Sequence, residues 1–329
     1  MHGARVRAVV KQEIRKAIDC GDIKKGCAFY KCECGKYRFV PFRCKSRICN
    51  TCGFDLSRLR MQKVKAKLKN CEHRHITFTM PDSLWSLFRE NRRLLQCLFD
   101  AAARTIQEVF EKRFGKDTKF EFGMISTLHT FGRDLKWNPH IHMMVTEKAF
   151  HGKLEQFIGY KYETLRMKFQ YHLLKRLKYQ GVDKKLIDAT YKKYPKGFVV
   201  EAKKSKLTPQ QVAEYVTRYI ARPVIAKKRI LKFENDIVTI CYNRHEDDKY
   251  IEENIPVMDF MERLVVHIPD KHFNMIRYYG IYAKVNGTPL AGRKRPKWRD
   301  KIIHEFHQDP LLCACGKIMK FVTLFPHGP

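Results

Sequence analysis

Several absences narrow this chain before any motif is considered. No stretch approaches the roughly 18 consecutive apolar residues of a membrane-spanning helix, so no membrane partner is expected. The opening residues, MHGARVRAVVKQEIRK, contain no apolar run of the secretory-leader kind. A reducing cytoplasm is the expected compartment. There, cysteines serve metals rather than disulfides. No P-loop is present, so no nucleotide cofactor is expected. Internal repeats and long low-complexity linkers are not evident. Above all, acidic residues are scarce: 34 Asp and Glu stand against 66 Lys and Arg, a net charge of +32.

That imbalance draws the chain towards a polyanion, with nucleic acid ahead of an anionic membrane surface. The basic residues are spread along the sequence and interleaved with aromatics, which suits a long phosphate-lined path. Ribosomal and other RNA-binding proteins share this composition, so charge names a partner class and no more. A length of 329 residues with 44% hydrophobic content can bury a sizeable core, in one large domain or two to three smaller ones.

The order of elements predicts an α+β protein in three parts. Residues 1–56 form a cysteine-dense module that begins with a short basic helix. Residues 57–225 carry a central antiparallel sheet flanked by helices. Within them, 56–70 reads as a charged helical linker and RHITFTMP (74–81) as a strand stopped by proline. Helical spacing covers 82–114, two strand-like runs cover 120–129 and 140–146, and a basic helix covers 152–180. Thr208, Pro209 and Gln211 are a three-part helix-start signal, and this helix stops before Pro223. Residues 226–329 form a basic C-terminal region in which 229–233 and 237–242 read as a hairpin.

The central motif is Asn138-Pro139-His140-Ile141-His142-Met143. Side chains alternate faces along a strand, so His140 and His142 point one way, about 7 Å apart along the chain, and can pinch a divalent cation. Taken alone, the tripeptide is better explained by two exposed histidines on a half-buried strand. His129, on the preceding strand, can bring a third imidazole to the pair or simply bond a neighbour. The second constellation is Glu214-Tyr215-Val216-Thr217-Arg218-Tyr219. Tyrosines at i and i+4 share a helix face, and Arg218, Arg222, Lys227, Lys228 and Arg229 beside them can lower a phenol pKa and bind phosphate. Packing is the usual role of two such tyrosines. Trp137, next to the histidine strand, is a candidate base-stacking residue.

In order and wording these strings resemble the HUH superfamily, specifically two-tyrosine rolling-circle transposases of the insertion-sequence ninety-one type. The resemblance rests on FRCKSRICNTCG (42–53), RHITFTMP, HTFGRDLKWNPHIHMMV (129–145), EYVTRYIARPVIAKKRI (214–230), KHFNMIRYYG (271–280) and DPLLCACGKIM (309–319). It implies that His140 and His142 bind Mg²⁺ or Mn²⁺, with His129 where related nucleases carry a third ligand. It also implies that Tyr215 and Tyr219 are nucleophiles forming a 5′-phosphotyrosine, and that RHITFTMP lies beside the histidine strand. The implied partners are single-stranded DNA at mobile-element ends and target DNA. A replication initiator using the same chemistry, a non-catalytic zinc-dependent DNA-binding protein and an RNA-processing factor are the alternatives.

The cysteines read as structural zinc ligands. Cys32-x-Cys34 followed by Cys49-x-x-Cys52 has the pattern of a four-thiolate site, with Cys20 and Cys44 as alternates. Transposases of this type usually carry CxxC where this chain has Cys32-Glu33-Cys34, which leaves the ligand set open. Cys27, Cys71, Cys97 and Cys241 read as small apolar residues. Near the C-terminus, His304, His307, Cys313 and Cys315 can form a second zinc site.

Overall fold

The computed structural model describes residues 6–46, 48–53, 64–116, 121–151, 154–157, 162–221, 224–244, 246–284 and 298–327. The chain divides into two compact units, residues 1–52 with 287–329 and residues 53–286.

The first unit opens with helix α1 (Ala8–Ile18) and the hairpin β1 (Cys27–Lys31) and β2 (Tyr37–Pro41). Its turn passes through Gly35 at φ +88°, a conformation that glycine adopts without steric cost.

The second unit supplies, in chain order, β3 (His73–Thr79), α2 (Trp85–Glu90), α3 (Leu95–Phe114), β4 (Gly123–Phe131) and β5 (Trp137–Thr146). A small hairpin follows, β6 (Lys148–His151) and β7 (Leu154–Phe157). Then come α4 (Tyr162–Tyr179), α5 (Lys184–Lys193), β8 (Val199–Leu207) and α6 (Pro209–Ala221). The unit closes with β9 (Ile230–Glu234), β10 (Ile237–Asn243), β11 (Tyr250–Pro256), α7 (Val257–Val265), β12 (Ile276–Gly280) and α8 (Ile281–Lys284).

Five of these strands form an antiparallel sheet in the order β12-β4-β5-β3-β8, with the histidine strand at its centre. Strand alternation sorts its two faces. Ile76, Phe78, Leu128, Ile141, Met143 and Val145 turn to one side and join a core with Leu98, Phe99 and Ile106 of α3 and Leu165, Phe169 and Leu173 of α4. The Phe78 and Phe169 rings meet edge to face at 5.1 Å. On the other side, Ile125 and Met144 pack under Val212, Ala213 and Val216 of α6, together with Tyr282. One face is therefore a thick helical layer, and the other is covered by the tyrosine helix.

That helix begins as its sequence predicts. Thr208 Oγ1 accepts from the Gln211 N–H at 3.3 Å, and Gln211 Oε1 accepts from the Thr208 N–H at 2.9 Å. This reciprocal cap satisfies two backbone donors at the helix start. Gly123 admits the Tyr282 ring closely, since a Cβ there would lie 2.4 Å from it. The β9–β10 hairpin turns through Asn235 and Asp236, both at positive φ, as two-residue hairpin turns require.

Three expectations need correction. Residues 154–157 form a strand paired with β6 rather than the start of a helix, and the helix begins at Tyr162. The basic C-terminal region is not one part. Residues up to 284 belong to the second unit, whereas α9 (Trp298–Phe306) and β13 (Lys320–Phe325) belong to the first, where β13 pairs antiparallel with β1. Cys71 and Cys97 are buried as expected, but Cys241 is half-buried. The linker expected over 56–70 falls mostly outside the described residues. Among those described, no helix is long and apolar enough to cross a membrane.

Candidate active site and thiolate clusters

Register assembles the site on the sheet face beneath α6. His129 of β4 stands opposite His140 of β5, and Thr127 and Thr77 flank His142 from β4 and β3. The His140 and His142 Nε2 atoms are 3.0 Å apart. The coordinating atoms of His129, His140 and His142 all lie within 4.8 Å of one another. Two nitrogens at right angles on a cation, each bonded at about 2.1 Å, would be about 3.0 Å apart, so the pair fits a single ion. The Nδ1–H of His140 faces the Asn138 carbonyl at 2.7 Å, which leaves the Nε2 lone pair directed into the cluster. Burial, only partly offset by that carbonyl, lowers the His140 pKa to about 4. The ring is then neutral at pH 7, as a ligand must be.

The far nitrogen of His142 has a second set of neighbours. Its Nδ1 lies 2.8 Å from His75 Nε2, 3.1 Å from Thr77 Oγ1 and 3.1 Å from the Tyr215 hydroxyl. His75 stacks on His142 with ring centroids 5.0 Å apart, and the Tyr215 ring tilts over His75 at 4.5 Å. His75 and Thr77 are contributions that sequence reading missed. Their two-residue alternation within RHITFTMP is the signal that could have found them. The backbone of α6 passes through Arg218 and Tyr219 in helical form, but their side chains, and all of Arg222, lie outside the described residues.

Other expected DNA contacts sit differently. Trp137 is buried at 8% exposure, so it does not offer a face to a base. Its Nε1–H donates to the Trp85 carbonyl at 3.0 Å, and its ring meets the Arg92 guanidinium at 4.8 Å and stacks on His267 at 6.0 Å. Arg229 is half-buried and donates to the Cys241 carbonyl at 2.9 Å and to the Arg133 carbonyl. It ties a loop to the β10 strand rather than standing ready for phosphate. Lys227 and Lys228 are exposed on a short turn.

The cysteines regroup. Cys20, Cys44, Cys49 and Cys52 form one cluster, and Cys32, Cys34, Cys313 and Cys315 form another. The expected quartet of Cys32, Cys34, Cys49 and Cys52 is therefore split, because each close pair meets different partners in the fold. Cys20 and Cys44 are full members of the first cluster. In the first, Sγ atoms are 3.5 to 3.7 Å apart. In the second, they are 3.5 and 3.6 Å apart. Four sulfurs at 2.3 Å around a tetrahedral zinc would be about 3.8 Å apart, whereas a disulfide requires about 2.05 Å. These clusters fit zinc. Burial raises the Cys20 pKa, but the Cys44 N–H and neighbouring thiols outweigh it and draw it down to about 7. The Lys36 N–H is the main cause that draws Cys34 down to about 6. Each shift favours the thiolate at that one sulfur, whereas burial pushes the neighbouring Cys44 and Cys52 thiols up. His307 is exposed and belongs to neither cluster. The His304 side chain lies outside the described residues. Cys27 is buried, as a small apolar residue should be.

Comparison with known proteins finds two matching family models. A family model described as "Putative transposase" matches residues 123–288, and a "Transposase zinc-binding domain" model of the insertion-sequence ninety-one type matches residues 1–80. The chain is 27% identical over 311 residues to the transposase for insertion sequence element IS801 of Pseudomonas savastanoi pv. phaseolicola, covering 89% of this chain and 74% of that protein. It is also 27% identical over 273 residues to "Putative transposase y4qJ" of Sinorhizobium fredii (strain NBRC 101917 / NGR234), covering 75% of this chain and 68% of that protein. No solved structure matches the chain. With an α+β sheet, a histidine cluster under a tyrosine helix and thiolate clusters suited to zinc, the chain belongs to the transposases of the insertion-sequence ninety-one type, with an N-terminal zinc-binding domain.

Proposed function

We propose that this transposase cuts and rejoins single-stranded DNA through a tyrosine ester, as in rolling-circle transposition. The observation that carries the reading is the Tyr215 hydroxyl, 3.1 Å from His142 Nδ1 at the edge of a three-histidine cluster. His140, His142 and His129 would hold a divalent ion, Mg²⁺ or Mn²⁺. When bound, the ion supplies charge neutralisation at a non-bridging oxygen of the scissile phosphate.

The residues of the chain do the remainder. A ring nitrogen offers one proton or one lone pair, so His142 Nδ1 cannot satisfy His75, Thr77 and Tyr215 together. Tyr215 therefore shares its anchor and can turn its oxygen to phosphorus. The phenol gives up its proton to solvent and its oxygen attacks in line. The bond from phosphorus to the 3′-oxygen breaks, and that oxygen takes up a proton. The products are a 5′-phosphotyrosine and a free 3′-hydroxyl. The phosphoester count is unchanged, so the reverse attack by a 3′-hydroxyl reseals DNA without ATP. Tyr219, one helical turn on, would let the same site hold one strand end while cutting another. The exposed Lys227 and Lys228 would meet the phosphate backbone.

The test is incubation of the full chain with Mn²⁺ and labelled single-stranded DNA carrying its element ends, followed by denaturing gels. The expected result is a labelled band displaced by the mass of the protein. It should be lost in the Tyr215→Phe/Tyr219→Phe double variant and in His140→Ala. Salt-sensitive binding with no covalent band under any divalent ion would replace this reading with non-catalytic DNA binding.

A further inference from the structure

One short string occurs twice in the chain, far apart: Cys32-Glu33-Cys34-Gly35-Lys36 and Cys313-Ala314-Cys315-Gly316-Lys317. The two copies fold alike, which corrects the expectation that no internal repeat exists. In each, the first cysteine N–H donates to the lysine carbonyl, at 2.7 Å for Cys32 and 2.9 Å for Cys313. In each, the glycine N–H donates back to the first cysteine carbonyl, at 3.0 Å and 2.9 Å. Gly35 and Gly316 both hold positive φ, +88° and +82°. In each, the first thiol is buried and the second exposed. The copies are two equivalent knuckles that present their sulfurs to a common centre, with Cys32 facing Cys315 at 3.5 Å and Cys34 facing Cys313 at 3.6 Å.

We propose that the chain holds two separate zinc ions, and that the second is bound by this knuckle pair, Cys32, Cys34, Cys313 and Cys315. The first would sit among Cys20, Cys44, Cys49 and Cys52, entirely inside the N-terminal zinc-binding domain. The second takes half its ligands from far beyond that domain and clamps the turn after β1 to the segment before β13. Surrounding contacts reinforce the clamp. Glu33, between the first two ligands, pairs with Lys317 at 3.0 Å and Lys320 at 2.9 Å. Arg38 donates to the Pro310 carbonyl. Four thiolates on Zn²⁺ leave two net negative charges, and these cations oppose that excess. Leu311 and Met319 pack beside Cys32 and Cys313 and keep water from one side of the centre. Two sites also resolve the Cys32-x-Cys34 departure from CxxC: the pair mates with a second CxC, not with Cys49 and Cys52.

Zinc content of the full chain, purified under reducing conditions without added metal, tests this independently of DNA cleavage. The expectation is two zinc ions per chain. Cys313→Ser/Cys315→Ser and Cys44→Ser/Cys49→Ser should each halve the content to one. X-ray absorption at the zinc edge of the unaltered protein covers the case in which a variant fails to fold. It should show sulfur neighbours at about 2.3 Å, and no nitrogen once His140→Ala removes the histidine cluster as a competing zinc site. One zinc per chain, a nitrogen contribution that persists in His140→Ala, or full zinc content in Cys313→Ser/Cys315→Ser would overturn the proposal. So would disulfides at the knuckle cysteines, found by thiol counting on the same sample.

Discussion

His142 faces two ways. One ring nitrogen joins the cluster with His140, and the other meets Thr77, His75 and Tyr215. Removing the Thr77 hydroxyl in Thr77→Val should weaken this orientation and shift the Mn²⁺ midpoint of cleavage upward by about 10–100-fold. A metal titration of cleavage reads this directly, and an unchanged midpoint would deny Thr77 that role. A second buried histidine makes a pH prediction. Burial holds His73 down at about 4, and its Nε2 sits 2.6 Å from the Tyr282 hydroxyl. The unfolded chain takes up that proton first as pH falls below 6.5, so the stability is present above 6.5 and lost towards pH 4. The loss amounts to about 3 kcal/mol. Urea midpoints at pH 7.5 and 4.5 should differ less in His73→Gln than in the unaltered protein. At this scale the sequence was partly legible. Strand alternation put His140 and His142 on one face, but Trp137 looked available only because its burial partners, Arg92 and His267, are distant in sequence. His75 and Thr77 became visible only once β3 took its register against β5.

The helix that carries Tyr215 depends on its first turn. Thr208→Ala removes the Oγ1 acceptor of the reciprocal cap and should cost about 1 kcal/mol of stability. Because the lost cap lies at the start of the tyrosine helix, covalent-adduct formation should fall as well, and Thr208→Ser should restore both. A loss of activity that serine does not restore would point to a different cause. Elements with local signals were legible: the Thr208–Gln211 cap, the Asn235-Asp236 turn and the strand ending before Pro81. The β6–β7 hairpin was not, because its residues are as polar and basic as the helix that follows. The thiolate sets also escaped reading. Ligand spacing specifies close pairs, but which pairs meet depends on strand β13 returning to β1.

At the scale of the molecule, charge dominates. A net +32 implies many phosphate contacts and the release of as many counterions. Affinity for single-stranded DNA should fall by on the order of 10³-fold between 50 and 200 mM salt, with a log–log slope that Lys227→Ala/Lys228→Ala makes shallower. Fluorescence anisotropy over that range measures both, and a flat salt response would exclude phosphate contacts as the main source of affinity.

The pairing of β1 with β13 also orders events during synthesis. Strand β1 leaves the ribosome early, but its partner is made some 290 residues later. All five strands of the central sheet emerge before then, so the second unit can fold while the first still waits with unpaired backbone and open thiols. Any chain cut short after residue 284 would keep the histidine cluster and the tyrosine helix yet lack the means to finish its own beginning. The strand and thiols that complete the first unit are thus made only after the whole of the second.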